Sequence, residues 1–427
     1  MKLQNAKGAR DIKPEEMILR QNITNKLKKV FEKYGYNPLE TPIIERYDVL
    51  SVKYGAGADS DAQKEIFQFK DRGKRKLGLR FELTLSMCRY IAMNPNTKLP
   101  FKRYEIGRVY RDGPIKLGRT REFYQCDVDI VGTNEVIADA EIIKLALSVF
   151  KELGLDAYIE VNNRKLLNGV LEYANVKKEK RMPAIIILDK LKKIGVRSVN
   201  KELKQLGVKA SSVKKINEIF KAKENLTQLR NLIKNDEAKE GLDELNELFG
   251  YFSKKELENV IFNISLARGL SYYTGIVFEG FLRKSKVTSS ICGGGRYDDL
   301  IGLLLQSKEK IPATGISFGL VPIMEAIKLS KKELKKTVTK VFVIPIGNTK
   351  NKALQIAQDL RKADINADID LIGRGISKNL NYANIMKIPY VIFVGERELK
   401  QKKVKLRNMK SGKEELLSID KLIKKLT

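Results

Sequence analysis

The chain predicts an α+β fold in more than one domain, on three observations. Short strand patterns, separated by Gly, Pro and charged turns, run from Tyr36 to about Val131 between two helical patterns. A Lys-rich helical stretch follows at about 164–258, after which strand patterns return. Beyond Lys331–Lys336 the pattern alternates strand and helix with short links, as in a small parallel or mixed α/β domain. With 427 residues, about two or three domains can each bury a core.

The elements follow in order. The first helix opens at Asp11 and Pro14, since proline suits the first helical turn; Ile23, Leu27, Val30 and Tyr34 share a face, and Gly35 stops it. Strands are expected at Lys76–Leu79, Tyr104–Tyr110 and Tyr124–Val131. A helix is expected over Glu135–Leu153, with Ile143, Leu147 and Phe150 on one side. Further strand patterns cover Val260–Ile264 and Tyr272–Phe281. Glycine-rich Gly293–Gly295 comes next, then a strand-to-helix turn at Gly315–Ile327. The tail reads strand Val341–Ile346, helix Lys350–Ala363, strand Ala367–Leu371, helix Ile376–Met386 and strand Tyr390–Val394.

Composition narrows the function. Lys plus Arg number 82 against 52 acidic residues, a formal charge of +30, which favours a polyanionic partner through counterion release. No apolar stretch is long enough to cross a bilayer, and Met1–Arg10 has no signal-peptide core, so a cytoplasmic location is expected with no membrane partner. Cys88, Cys126 and Cys292 show no CxxC spacing, which argues against disulfides and a thiolate metal site; no metal ligand is assigned. Histidine is absent, which excludes an imidazole base and a Ser-His-Asp triad. Chemistry must run on carboxylates, Arg, Lys, Tyr or a bound metal.

Five motifs carry the chemistry. The first, Lys33–Glu45, is a helix, a glycine stop and a strand entered through Pro42; it resembles motif 1 of class II aminoacyl-tRNA synthetases, their dimer-building element, and so implies a homodimer. In Leu79–Thr84 the alternation of Arg80 and Glu82 reads alone as a solvated strand face. Two strands then flank a basic loop, from Tyr104–Asp112 to Glu122–Asp129. Alternation lines up Gln125, Asp127 and Asp129 on one face. This pair resembles motif 2 of the class, which implies Arg111 on the ATP α-phosphate and Phe123 on adenine; a guanidinium fork suits phosphate oxygens. Arg119 and Arg121 of the loop would serve ATP or the tRNA acceptor end.

The segment Arg268–Gly275 (RGLSYYTG) reads alone as an aromatic strand start with Arg at its rim, or as Arg268 beside a cavity with Tyr272 or Tyr273 turned to a small polar substrate. Gly293–Asp299 (GGGRYDD) permits close backbone approach. Together the two resemble the signatures of histidyl-tRNA synthetases. The resemblance implies Arg268 as catalytic cation and ATP contact, with Arg111. It places histidine among Glu82, Thr84, Gln125, Asp129, Tyr272, Tyr273 and Tyr297. The tail, with Asp370–Lys378 and Pro389–Glu396, resembles the anticodon-binding domain of histidyl, prolyl, threonyl and glycyl enzymes.

The resemblance spans nearly the whole chain. It implies a class II synthetase antiparallel sheet with flanking helices in residues 1–330, a helical insertion at about 165–257, and a C-terminal α/β anticodon-binding domain at 338–427. The expected activity makes histidyl-adenylate from histidine and ATP with Mg²⁺, then transfers histidine to the 3′ end of tRNA(His). Adenylation is in-line attack by a carboxylate, so the protein positions groups and spreads charge. Two positions depart from the family: Ser271 stands where Asp is usual, and Pro322 occupies the arginine position that ends motif 3. The γ-phosphate is then held by another cation or more weakly. A synthetase-like regulatory subunit of ATP phosphoribosyltransferase, a sister class II synthetase and a general RNA-binding module are the alternatives.

Overall fold

Among the described residues, eleven strands precede residue 330: β1 (Asn37–Pro38), β2 (Ile44–Arg46), β3 (Gln68–Lys70), β4 (Lys76–Leu79), β5 (Phe101–Tyr110), β6 (Glu122–Val131), β7 (Ala157–Asn163), β8 (Val260–Phe262), β9 (Ile276–Leu282), β10 (Cys292–Arg296) and β11 (Ala313–Gly319). The structure is a computed structural model that describes residues 3–52, 61–115, 120–221, 225–268, 272–330 and 334–427. Its chain divides into two compact units, residues 1–11 with 23–330, and residues 12–22 with 331–427.

Eight strands of the first unit form one sheet in the order β1-β5-β6-β11-β10-β9-β7-β8. The six inner strands run antiparallel, and β1 and β8 add parallel edges. A second, three-stranded sheet has the order β2-β4-β3. The ladder from β5 to β6 is long, with Phe101 opposite Val131 and Tyr110 opposite Glu122. Helix Ile137–Leu153 buries Ile142, Ile143, Leu145, Ala146, Val149 and Phe150, and Gly154 ends it at φ +69°. Left-handed backbone there satisfies the last carbonyls at little steric cost. Helix Pro14–Lys33 buries Ile23, Leu27 and Val30, the spacing that the sequence shows. Each such fully buried aliphatic side chain contributes about 1.5–3 kcal/mol.

The Lys-rich stretch is helical, from Arg164–Tyr173 to Lys254–Leu257, and is inserted between the adjacent parallel strands β7 and β8. It has its own core of Leu167, Leu171, Ile185, Val199, Leu203 and Ile216, which lets a long crossover be an ordered body. The three cysteines are buried free thiols.

Two expectations change. The strand expected over Tyr272–Phe281 begins only at Ile276. High β-propensity marks the whole run, but the Tyr272 ring stands 4.7 Å from Tyr273 and 6.0 Å from Tyr297, so aromatic packing wins over strand pairing. Arg80 and Glu82 are buried beyond the end of β4 and do not form a solvated strand face. Burial of Arg80 is balanced by Glu105 Oε1 at 2.7 Å and by donation to the Thr41 carbonyl at 2.7 Å.

The second unit carries β12 (Val341–Pro345), β13 (Ala367–Ile369), β14 (Tyr390–Val394), β15 (Val404–Asn408) and β16 (Glu414–Leu417), in the order β13-β12-β14-β15-β16. The first three are parallel, and the last two add antiparallel, so the sheet is mixed. Val341 and Val343 enter one core while Phe342 and Ile344 enter the other, which explains the unbroken apolar run. The hairpin β15–β16 escapes the sequence reading because its charged residues suit a sheet edge.

Within the first unit, Arg296 of the glycine-rich motif is structural. Its Nε donates to Asp139 Oδ2 at 3.1 Å and its Nη1 to the Thr133 carbonyl at 2.9 Å, while Thr314 Oγ1 donates to Asp139 Oδ1 at 2.7 Å. This ties β10 and β11 to helix Ile137–Leu153. Asp139→Ala takes the nearest anion from a buried guanidinium, leaves it Asp298 at 3.5 Å and two backbone carbonyls, and is expected to destabilise by about 2–3 kcal/mol. Thermal unfolding checks it, and an unchanged Tm would remove this tie from the fold.

Candidate functional site

The β5–β6–β11 register builds the floor of the site. Gln125, Asp127 and Asp129 alternate on one face of β6, opposite Gly107, Glu105 and Arg103 of β5 and Gly319, Ser317 and Gly315 of β11. Missing side chains make room. A Cβ on Gly315 would lie 2.0 Å from Asp129 Oδ1, and one on Gly293 would lie 1.7 Å from Arg268 Nη1. These glycines are therefore needed for space as much as for backbone freedom.

Above this floor lies a cavity of about 970 Å³. Both expected cations, Arg111 and Arg268, line it. So do Glu82, Thr84, Gln125 and Asp129. Tyr272, Tyr273 and Tyr297 complete the expected group. The sequence scatters these residues over more than two hundred positions, and the sheet order gathers them. Arg121 and Phe123 are not on its wall. Arg121 turns to Asp112, with Nη1 2.9 Å from Oδ1. Phe123 lies beneath Arg111, whose guanidinium is 5.0 Å from its ring and 4.2 Å from the Phe81 ring. Arg119 and Ser271 lie outside the described residues.

Electrostatics on the floor are dominated by desolvation. Burial raises the carboxyl of Asp129, opposed by the Arg103 guanidinium and by the Tyr297 hydroxyl, which donates to Asp129 Oδ1. Burial also pushes Asp127 up to about 8, again against the pull of Arg103. Gln125 Nε2 donates to Ser317 Oγ at 3.1 Å. Its Oε1, with Asp127 Oδ1 and Asp129 Oδ2, is buried without a hydrogen-bond partner, so polar atoms converge on a space fit for a polar ligand. The Arg103 Nη2 to Asp129 Oδ2 distance is 2.8 Å, an ion pair whose alignment is not that of a hydrogen bond.

Arg268 has φ +43°, an uncommon backbone for a non-glycine residue and one found at functional sites. Its Nη2 donates to the Tyr273 hydroxyl at 3.2 Å, and its Nη1 stands 3.8 Å from Glu279 Oε1. Burial weakens its charge, but Tyr273, Glu279 and Tyr272 outweigh that, so it is held as a cation. Pro322 occupies the first turn of helix Leu320–Ser330, where a missing N–H costs little.

Sequence reasoning missed several groups here. Asp127 was aligned on the strand face but given no role. Arg103 looks like half of a basic pair in Lys102-Arg103, and only the register opposite Asp129 shows where it sits. Glu279 from β9 and Asp189, Lys192 and Lys193 from the insertion also line the cavity. No local motif marks Glu279 or Asp189, and Lys190–Lys193 reads in sequence as a basic face for the tRNA acceptor arm or for solvent; tertiary packing brings them to the cavity.

Comparison with known proteins agrees with this geometry. The family model for histidyl-tRNA synthetase matches residues 8–323, and that for the anticodon-binding domain matches residues 340–427. A histidine–tRNA ligase 1 of Bacillus cereus is 46% identical over 97% of this chain and 95% of its own length. The crystal structure of a histidyl-tRNA synthetase from Nostoc superposes with a TM-score of 0.86 at 27% identity, covering 100% of this chain and 99% of that one. A Bacillus halodurans structure, described as an ATP phosphoribosyltransferase regulatory subunit/histidyl-tRNA synthetase, shares the fold at TM-score 0.77 and 22% identity, over 92% of this chain and 99% of its own. On the full-length match of family and relatives, this chain belongs to the histidyl-tRNA synthetase family.

Proposed function

We propose that the protein is a histidine–tRNA ligase, which activates histidine with ATP to histidyl-adenylate and then loads it on the 3′ end of tRNA(His). The observation that carries this reading is the convergence of two arginines and a floor of unpartnered polar atoms in one cavity. Asp129, steadied by Tyr297, accepts an N–H of the substrate imidazole. Glu82, Thr84 and Gln125 hold the α-ammonium, and the aromatic rings of Tyr272, Tyr273 and Tyr297 close around the side chain. A wrong side chain would leave buried polar groups unpaired, which makes selectivity steep.

The reaction needs placement of charge more than a base. The substrate carboxylate attacks the α-phosphorus, and Arg111 and Arg268 stabilise charge on the phosphate oxygens as pyrophosphate leaves. Phe123, off the cavity wall, backs the Arg111 guanidinium, and roles for Phe123 on adenine and for Arg119 and Arg121 on ATP or the acceptor end rest on the resemblance alone. With Pro322 in place of an arginine, γ-phosphate charge falls to cations that line the cavity, including Lys192 and Lys193 of the insertion. Among the described residues no group of three or more acidic or thiol side chains could hold a metal, so Mg²⁺ arrives on the nucleotide phosphates and adds charge there.

Residues 338–427 read the anticodon region, and the net charge of +30 supports binding of the tRNA backbone. A homodimer is inferred through Lys33–Glu45. No helix among the described residues is long and apolar enough to cross a membrane, and the cytoplasm, where tRNA is charged, is the proposed location.

Histidine-dependent ATP–pyrophosphate exchange tests the reading directly. Exchange with histidine and not with proline or threonine is expected; its absence at saturating histidine would leave the regulatory-subunit alternative. Arg268→Ala should lower the adenylation rate by about 10²–10³-fold, the usual effect of removing one charge-stabilising donor, with little change in tRNA affinity. Equal loss of both would make Arg268 structural. Gly293→Ala should act through the same arginine, because its new methyl displaces the guanidinium. The expected result is slower adenylation with an unchanged Tm, and wild-type rates would show that Arg268 need not sit at Gly293.

A further inference from the structure

Arg103 has no role in the reading above, yet it is a cation with no solvent exposure. A charge so placed must be compensated by its neighbours. Pairing of β5 with β6 puts it opposite Asp129, with Nη2 2.8 Å from Oδ2, and its Nη1 lies 3.6 Å from Glu105 Oε2. Glu105 is already engaged, because Arg80 Nη1 donates to its Oε1 at 2.7 Å and Thr41 Oγ1 donates there at 2.9 Å. The remaining bond of Arg103 is a long one, from Nη2 to the Leu83 carbonyl at 3.4 Å, while Nε and Nη1 have no hydrogen-bond partner. Arg103 is thus held by charge more than by hydrogen bonds, and its free charge falls on Asp129 and Asp127.

The groups around Asp129 come from several elements. Arg103 and Glu105 face it from β5, Asp127 follows it on β6, and Tyr297 donates from beyond β10. Cys88 of helix Thr84–Met93 and Tyr36 are close enough to feel its charge, and Glu82 acts on the same Cys88. Of these, only Arg103 is a cation. Burial and the Glu105 carboxylate favour a neutral Asp129, and Arg103 and Tyr297 oppose them.

We propose that Arg103 is a positioning residue for side-chain selection: it keeps Asp129 ionised at the cavity floor, and the neighbouring carboxyl of Asp127 competes with Asp129 for its charge. This inference rests on the histidine-ligase reading. Tyr297 donates to Asp129 Oδ1 and Arg103 approaches Oδ2, so the two together fix the plane of a carboxylate that lines the cavity. Without Arg103 the acid holds its proton to higher pH, and a protonated carboxyl no longer accepts as strongly from an N–H donor of the substrate ring.

The test uses the full chain, with KM for histidine and for ATP measured by pyrophosphate exchange from pH 6.5 to about 9, the span over which a raised carboxyl ionises. Exchange by the unaltered protein establishes the underlying reading; if it fails, that reading falls first and separately. Arg103→Met is expected to raise KM for histidine by roughly 30-fold, the loss of one charge-assisted contact, while KM for ATP moves by less than about threefold. The histidine defect should shrink as pH rises, because hydroxide then removes the proton that Arg103 had kept off. Asp127→Asn in the Arg103→Met background should recover part of the loss only above about pH 8, where Asp127 otherwise begins to carry a second buried negative charge. An unchanged KM for histidine, or equal pH-independent rises for both substrates, would make Arg103 structural and overturn the proposal. Asp127→Asn alone covers the case in which Arg103→Met fails to fold. It should lower histidine KM above about pH 8, where Asp127 otherwise carries its charge beside Asp129, and no change there refutes the coupling.

Discussion

A slip of one residue between β5 and β6 would carry Gln125, Asp127 and Asp129 through the sheet to its other face, because side chains alternate along a strand. The ladder from Phe101–Val131 to Tyr110–Glu122 prevents that slip, and most of the cavity depends on it. The same register fixes Arg103 opposite Asp129 and sets Ser317 and Gly315 beside the acidic positions. Apolar residues on the alternate positions, including Cys126, Val128 and Ile130, are buried. Hydrophobic burial therefore enforces the placement of polar groups that would resist burial alone.

What lies on either side of that ladder is arranged by omission. Gly293 and Gly315 give up side chains so that the Arg268 guanidinium and the Asp129 carboxylate can occupy the space. The arginine in the same glycine-rich segment is spent differently, on Asp139 and the start of a helix, away from the cavity. Four consecutive motif residues thus divide between opening the site and fastening it to the fold. A sequence pattern shows that both are wanted together but not which residue does which.

The chemistry suits a chain without histidine. Charge on a phosphate can be met by guanidinium groups already ionised, so proton transfer at neutral pH is not demanded of the protein. The expensive part is instead the selection of a polar side chain by desolvated carboxylates. Burial makes Asp127 and Asp129 reluctant to ionise, and the same low dielectric makes each ion pair that opposes this stronger. Selectivity and electrostatic cost have one origin.

The amino-acid sequence alone pointed to the family, to a helical insertion ahead of an α/β tail, and to many of the residues that line the cavity, though not to Glu279 or Asp189, while Arg121 and Phe123 lie off its wall. Arg111, Gln125, Asp129, Arg268 and Tyr297 were legible because motif spacing and strand alternation are local properties. Only the tertiary structure decided that Arg103 lies beneath Asp129, that Arg296 fastens a helix, and that insertion lysines reach the cavity wall. It also moved Tyr272 and Tyr273 out of the expected strand. Each of these depends on which distant segments pack together, and a basic residue looks the same in sequence whether water or a buried carboxylate compensates its charge.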